Sequence, residues 1–148
     1  MGRKFLGYAL WVAKGREVKC AVAGKALGDF KVRIRQLTRR SGGRSMEQVV
    51  EKLKAYLLGW KAYFGLAQTP RVWRELDEWV RHRLRAIQLK QWKRGRTIYR
   101  ELMARGAAHE VAKQVAANSR RWWRNSAKLL NRVLTISYFD QLGLPRLS

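Results

Sequence analysis

The chain has 148 residues, 47% of them hydrophobic, which is enough to bury a core and excludes a disordered basic tail. Its 33 Lys and Arg residues against 10 Asp and Glu give a formal charge of +23 at pH 7. Because a polyanion relieves self-repulsion on this scale, nucleic acid is the expected partner, and an anionic membrane surface is the weaker alternative.

Cysteine content, hydropathy and motifs narrow the class further. Cys20 is the only cysteine, which excludes an intrachain disulfide and a Cys-rich zinc site and fits a reducing, cytoplasmic setting. No apolar run approaches the roughly 20 residues that span a bilayer, so we expect no membrane segment. The basic start, residues 1–5, precedes too short an apolar run for a signal peptide. Without a P-loop or a Gly-rich dinucleotide turn, we expect no cofactor and no metal.

The N-terminal segment predicts a β-hairpin. Residues 5–12 are rich in aromatic and branched side chains, residues 13–16 supply a turn, and residues 17–22 return with partial alternation. A lone hairpin is marginal in water, so we expect it to lie against a helix or against another polypeptide. Gly24 ends this unit.

A first helix is predicted over residues 25–40. Leu27, Phe30, Ile34 and Leu37 recur at helical spacing and form its apolar side, and cations dominate the remainder. A flexible, glycine-containing loop over residues 41–44 follows. The candidate nucleic-acid contacts in this part of the chain are Arg39, Arg40 and Arg44.

The second helix has the clearest periodicity. Ser45 and Gln48 have the spacing of a capping box, which predicts a helix start here. Aromatic residues at helical spacing indicate core rather than base stacking. Gly59 lies beside the apolar arc, where a missing side chain would let another helix approach closely. The arc contains Val49, Val50, Leu53, Tyr56, Leu57, Trp60, Tyr63 and Phe64.

The third helix is the expected site of binding. Thr69 and Pro70 predict its start, and no Asp or Glu occurs between Glu78 and Glu101. One face is apolar, so the opposite stripe can offer guanidinium groups and an indole to a nucleic-acid backbone and an unstacked base. The alternative is an ordinary solvated amphipathic helix. The stripe consists of Arg74, Arg81, Arg85 and Trp92.

Arg83 and Lys90 do not fit this stripe, because their helical angles point into the apolar arc. Either they snorkel at its edge or they approach RNA from the concave side of the bundle, and the pattern leaves both open. Asp77 with Arg81 has the spacing of an exposed ion pair. The candidate contacts of the carboxylate-free window are Arg81, Arg83, Arg85, Lys90, Trp92, Lys93, Arg94, Arg96 and Arg100.

Beyond Gly95, which is expected to end the third helix, two short helices are predicted over residues 97–105 and 108–117. No carboxylate occurs between Glu110 and Asp140. Residues 118–125 interleave cations with two indoles, a loop composition suited to stacking and phosphate contact, although at least one indole should enter the core. Ser126 can cap a last helix, and residues 136–142 predict a final helical turn. The candidates here are Arg120, Arg121, Trp122, Trp123 and Arg124.

Several segments together resemble the C-terminal maturase-specific domain, also called thumb or X, of group II intron reverse transcriptase/maturases. The order and spacing of these segments over nearly the whole chain are specific. Residues 5–8 are similar to the end of the family's palm, and residues 34–45 match the basic segment after it. Gly59-Trp60 with Tyr63-Phe64 matches a Gly-Trp-x-x-Tyr-Phe signature. Residues 76–81, 90–93 and 138–145 match later segments, the last as in many bacterial members.

The resemblance implies a mainly α-helical, thumb-like bundle in a bacterial cell that grips structured intron RNA and assists its folding and splicing. It divides the chain into residues 1–24, a hairpin resembling the palm end; residues 25–106, the maturase domain; and residues 107–148, a basic helical extension. Trp79, Arg81, Lys90, Trp92 and Lys93 belong to the segment that meets RNA in this family. Gly59, Trp60, Tyr63 and Phe64 would be core.

The departures from the family also matter. The chain has no Tyr-x-Asp-Asp polymerase motif and no His-Asn-His nuclease, so alone it should neither polymerise nor cut. Where members often read Arg-Gly-Pro-Trp-Arg-Leu-Ser, residues 121–126 read differently. His82 and His109 lack a nucleophile pattern and are expected to be lone surface histidines. Glu75, Asp77 and Glu78, interleaved with Arg and facing mostly outward, make a poor metal cage.

Three functions therefore fit the sequence. The first is an RNA-binding maturase domain without polymerase activity. The second is a split thumb subunit that docks to a separate reverse-transcriptase fingers-palm polypeptide, which would explain the orphan hairpin. The third is a basic structural protein of a ribonucleoprotein, with the family likeness marking descent only.

Overall fold

The computed structural model describes residues 3–5, 7–39 and 43–148. Near the N-terminus, three strands form an antiparallel sheet of order β1-β2-β3. Tyr8 lies opposite Val22, and Val12 lies opposite Val18. The predicted hairpin is confirmed as β2 and β3, and β1 is an additional strand that the residue pattern did not predict. The strands are β1 Arg3–Phe5, β2 Tyr8–Val12 and β3 Val18–Val22.

Seven α-helices follow in the described part of the chain, which confirms the predicted mainly helical fold with an N-terminal hairpin. The predicted first three helices, the two short ones after them and the final turn all form, with small shifts at their ends. A short 3₁₀ helix covers Leu130–Arg132. The α-helices are α1 Gly24–Leu37, α2 Met46–Tyr63, α3 Pro70–Trp92, α4 Gly95–Ala104, α5 His109–Ala117, α6 Trp122–Lys128 and α7 Ile136–Gln141.

The sheet lies against the end of α2, as expected for a hairpin too small to be stable alone. The Tyr8 ring packs 5.1 Å from the Phe64 ring, and the Tyr8 hydroxyl donates to the Tyr63 carbonyl oxygen. Gly7 has φ +85°, and a Cβ there would meet the Phe64 ring at 3.1 Å. Glycine at this turn therefore permits both the left-handed backbone and the close approach.

Aromatic side chains join α1, α2 and α3 in one core. The Trp60 ring lies 4.5 Å from Phe30, 4.6 Å from Phe64 and 5.2 Å from Trp73, measured between ring centroids. The predicted capping box is present, because the Ser45 hydroxyl accepts from the Gln48 amide and the Gln48 side chain accepts from the Ser45 amide. The interpretation of the Trp60 arc as core is confirmed for its members other than Tyr63.

Two expectations for α2 are wrong. Tyr63 is 54% exposed, because it sits at the helix end where its ring stacks on Tyr8 instead of entering the core. Gly59 is exposed, and nothing lies within 4 Å of a Cβ built there. The close helix approach occurs at Gly95, which begins α4 and whose Cβ would meet the Ala116 carbonyl oxygen of α5 at 2.7 Å.

The predicted loop and cap near residue 126 are also wrong. α6 already begins at Trp122, and Ser126 lies inside it, fully buried, with its hydroxyl donating to the Trp122 carbonyl oxygen. α6 ends at Lys128, so the α-helix expected to carry Leu129, Leu130, Val133 and Leu134 is wrong, and this stretch contains the short 3₁₀ helix instead. The half-buried Trp122 packs against the core, which confirms that at least one of the two indoles does so.

The last residues return across the helices. Leu144 and Leu147 are buried, and the Lys61 ammonium of α2 donates to the Arg146 carbonyl oxygen at 3.0 Å. In the part of the chain that the structure describes, each helix is too short or too polar to cross a membrane.

Replacing Trp60 by Ala should lower the free energy of unfolding by about 3–5 kcal/mol, because it removes a buried indole that three aromatic rings contact. Urea denaturation followed by circular dichroism measures the change. Leu58→Ala on the same helix is the matched control, since Leu58 is 47% exposed, and it should cost about 1 kcal/mol or less. Equal losses would contradict this description of the core.

Candidate nucleic-acid interface

α3 carries charged side chains on two sides, and the two sides differ in how deeply they are buried. One side holds Asp77, Arg81 and Arg85, all buried against the C-terminal elements. The other side holds Trp79 and Arg83, both half-buried beside α1. Which side faces solvent decides where a polyanion can bind.

Arg81 is an internal cation. Its side chain is 2% exposed, its Nη1 lies 3.6 Å from Asp77 Oδ1, and its Nη2 lies 3.7 Å from Asp140 Oδ1. Nη1 also donates to the Asp77 carbonyl oxygen at 3.2 Å. Burial lowers the pKa of Arg81, and the two carboxylates oppose that shift. The pair Asp77–Arg81, expected at the surface, is therefore buried.

The two carboxylates in turn hold the end of the chain. Asp77 accepts from the Leu147 amide at 2.8 Å and from the Ser148 amide at 2.9 Å. Asp140 accepts from the Arg146 guanidinium, and these hydrogen bonds hold the pKa of Asp140 below its usual value. α3, α7 and the last residues are thus joined through one charged cluster.

Arg85 is also buried, 8% exposed, without a direct carboxylate partner in the described residues. Its Nε donates to the Leu134 carbonyl oxygen at 2.8 Å, and its guanidinium lies 5.6 Å from the Phe139 ring centroid. Burial, together with the charge of Arg81, lowers the pKa of Arg85 to about 10. Arg85 serves packing between α3 and the C-terminal elements.

The expected stripe on α3 is therefore wrong as an exposed surface. Residues 130–148 cover most of Arg81 and Arg85, so these two side chains do not form an exposed stripe. Trp92 is half-buried, and the Arg105 guanidinium of α4 lies 5.0 Å from its ring centroid. Only Arg74 of that stripe is exposed.

The other side of α3 gathers cations around one indole. Lys31 Nζ lies 6.0 Å from the Trp79 ring centroid, and the guanidinium carbons of Arg35 and Arg83 each lie 5.5 Å from it. The Arg83 Nε donates to the Thr38 hydroxyl at 2.8 Å, which fixes that side chain between α1 and α3. Among the described residues, neither Lys31 nor Arg35 has a carboxylate within ion-pair distance.

This surface continues onto α6. The His82 and Trp123 rings stack with centroids 3.7 Å apart, and Lys90 Nζ lies 6.0 Å from the Trp122 ring centroid. His82 is therefore a stacking partner rather than a lone surface histidine. We name this surface the basic aromatic face. Its members are Lys31, Arg35, Thr38, Trp79, His82, Arg83, Lys90, Trp122 and Trp123.

Sequence reasoning did not select Lys31 and Arg35 as site residues. Their spacing could have identified them, because Lys31 and Arg35 lie one turn apart on the same side of α1, beside its apolar arc. Arg40 lies outside the described residues. The other predicted contacts are exposed, and their role in binding stays a prediction. They are Arg39, Arg44, Lys93, Arg94, Arg96, Arg100, Arg120, Arg121 and Arg124.

One end of the basic aromatic face borders a groove of about 840 Å³. Glu75 and Glu78 line it together with Trp79, His82 and Arg85, so the carboxylates outnumber the guanidinium groups on this side. Glu75 is paired with Arg71 at 2.8 Å. Within residues 3–5, 7–39 and 43–148, no three His, Cys, Asp or Glu side chains are arranged to hold a metal ion.

A comparison with models of protein families identifies the family. The family model "Group II intron, maturase-specific domain" matches residues 27–106, which is more than half of the chain. The matched range contains most of α1, all of α2 to α4, and the α1–α3 part of the basic aromatic face. A search of curated proteins finds no match.

Replacing Arg81 by Ala should lower the free energy of unfolding by about 3–5 kcal/mol, because two carboxylates lose their buried cation. Urea denaturation measures the loss. The matched control is Arg74→Ala, two turns earlier on α3 and exposed, which should change stability by about 0.5 kcal/mol or less. A stable Arg81 variant would show that this cation is not structural.

Stability should also fall in acid through Asp140. Its pKa is below the usual value in the folded chain, so its stabilisation is present above about pH 4 and is lost as pH falls through the folded pKa. Asp140→Asn should be less stable than the parent at pH 7, and the gap should narrow below about pH 4. Thermal unfolding across pH 2–7 measures this gap, and a constant gap would contradict the assignment.

Proposed function

The chain belongs to the group II intron maturase-specific domain family, and from this premise we propose that it binds structured, group II intron-like RNA through the basic aromatic face and assists its folding and splicing. On this proposal it has no polymerase or nuclease activity of its own. The observation that carries the proposal is the set of three cations around Trp79, two of them without carboxylate partners among the described residues.

The chemistry of this face suits RNA with unpaired bases rather than double-stranded DNA. Lysine and arginine neutralise phosphates and release counterions, so affinity should fall steeply with salt. Indoles offer stacking surfaces to unpaired bases, which are the usual targets of RNA recognition. Neutralising phosphates where RNA segments approach each other would lower their mutual repulsion and so favour a compact RNA fold. Splicing assays with and without the protein test this assistance.

We propose the same division of the chain that the resemblance implies, with residues 25–106 as the RNA-binding unit. The basic aromatic face nevertheless draws Trp122 and Trp123 from α6, within residues 107–148. The extension therefore contributes to binding instead of serving only as a tail. A shortened protein that ends near residue 106 should lose affinity, since it also loses the packing of α6 on α3.

One observation favours the split-subunit alternative. Trp11, Val12 and Val18 are 38%, 67% and 61% exposed at the far end of the sheet. Val12 and Val18 are cross-strand partners, so they form one apolar patch. A separate fingers-palm polypeptide could cover it. Recovery of no polymerase-like protein with the tagged chain, together with a well-folded isolated monomer, would contradict this alternative.

Replacing both Lys31 and Arg35 by Ala should weaken binding to a structured intron RNA and make its salt dependence shallower by about one to two units of slope, because two phosphate contacts are lost. Filter binding across a salt series measures both. Heparin serves as the competitor that tests RNA specificity.

The control removes the same charge elsewhere, with Lys14→Ala and Lys113→Ala at exposed positions outside the face. This control should bind RNA nearly as the parent does. If the two double variants lose affinity equally, net charge alone drives binding and the assigned face is wrong.

A further inference from the structure

Trp123 combines exposure with a fixed ring. Its side chain is 45% exposed, yet the His82 ring stacks on it at 3.7 Å with an interplanar angle of 25°. His82 Nε2 lies 2.8 Å from the Trp123 carbonyl oxygen, which ties the imidazole to the same residue. One face of the indole is therefore covered, and the ring is held in place before any ligand arrives.

A small cavity opens beside this indole. It measures about 250 Å³ and is lined by Thr38, Arg83, Ala86 and Trp123, so it lies where α1, α3 and α6 meet. Ala86 is 1% exposed and forms an apolar wall, and the Thr38 hydroxyl accepts from the Arg83 Nε at 2.8 Å. The lining thus offers an aromatic ring, a methyl group and a positioned guanidinium, with no carboxylate among these residues.

We propose that this cavity receives one unpaired purine base of the bound RNA, stacked on Trp123 and contacted by Arg83. The proposal rests on the proposed function, because it names which part of the RNA this face binds. His82 covers one face of the indole, so the base would stack on the opposite face. The larger groove beside Trp79 is less suited to RNA, since two carboxylates, Glu75 and Glu78, line it against the single guanidinium of Arg85.

The size and the chemistry of the cavity both select the ligand. About 250 Å³ is smaller than the roughly 300–1,000 Å³ of pockets that take a whole drug-sized ligand, so one planar ring system fits better than a complete nucleotide. Guanidinium groups pair with the O6 and N7 acceptors of guanine, so guanine should bind best. The base must be unpaired, because side chains cannot read edges in the deep major groove of an RNA helix.

The test compares two RNA hairpins that differ at one bulged nucleotide, a guanine in one and an abasic ribose in the other. Their phosphates are identical in number, so the difference reports the base alone. Fluorescence anisotropy should give an affinity about 5- to 100-fold higher for the guanine bulge with the parent protein, the usual contribution of one stacked base. Trp123→Ala should abolish the difference, and Trp123→Phe should restore most of it.

Trp11→Ala is the matched control, because Trp11 is also a partly exposed tryptophan but lies in the sheet. It should keep the preference for the guanine bulge. Trp123→Ala should also keep the salt slope of the parent, since the indole carries no charge. The unchanged salt slope separates the loss of a base contact from the loss of a phosphate contact.

The possible failures are distinguishable. If the parent protein binds both hairpins equally well, the base site is wrong while RNA binding stands. If Trp123→Ala loses the same affinity for both hairpins, the indole has only a structural role and the base site is again wrong. If the parent protein binds neither hairpin, nor a structured intron RNA, the proposed function itself fails.

Discussion

The buried cluster of Arg81 with Asp77 and Asp140 is the constraint on which the rest of the structure depends. Removing a guanidinium from water is costly, and only well-placed carboxylates offset the loss of hydration. Asp77 and Asp140 approach Arg81 from α3 and α7, and Asp77 also accepts from the backbone amides of Leu147 and Ser148. This cluster places the C-terminal elements on one side of α3. The opposite side, with Trp79 and its cations, therefore remains available for a partner.

Local signals predicted most of the helical framework. The capping box at Ser45, the periodicity of α1 to α3 and the aromatic core around Trp60 depend on residues near each other in the sequence, and the structure contains all of them. The buried side of α3 could not be predicted in the same way. Arg85 meets Leu134, and Asp77 meets Ser148, contacts that span 49 and 71 positions. A helical wheel shows two polar stripes but not which one a distant segment will cover.

The same limit applies to the candidate site. Trp60, Trp79 and Trp123 are chemically identical, yet Trp60 is surrounded by aromatic rings, Trp79 by cations, and Trp123 is stacked on an imidazole and partly exposed. Helical spacing does not separate Trp60 from Trp79, because both lie on the apolar sides of their predicted helices. It does not bring α1 beside Trp79 or α6 beside His82. Arg83, which the pattern left between two interpretations, is held by Thr38, the residue that directly follows α1.

A carboxylate-free window in a sequence is not the same as a surface of unpaired cations. Asp77 lies just before the first window and Asp140 just after the second, and both reach Arg81 inside the first. Three cations also stand within 6.0 Å of the Trp79 ring centroid, and two of them, Lys31 and Arg35, have no carboxylate within ion-pair distance among the described residues. Like charges gathered around one ring repel each other even through a high dielectric. A phosphate bound among them would offset that repulsion, which supports the proposed binding of a polyanion at this face.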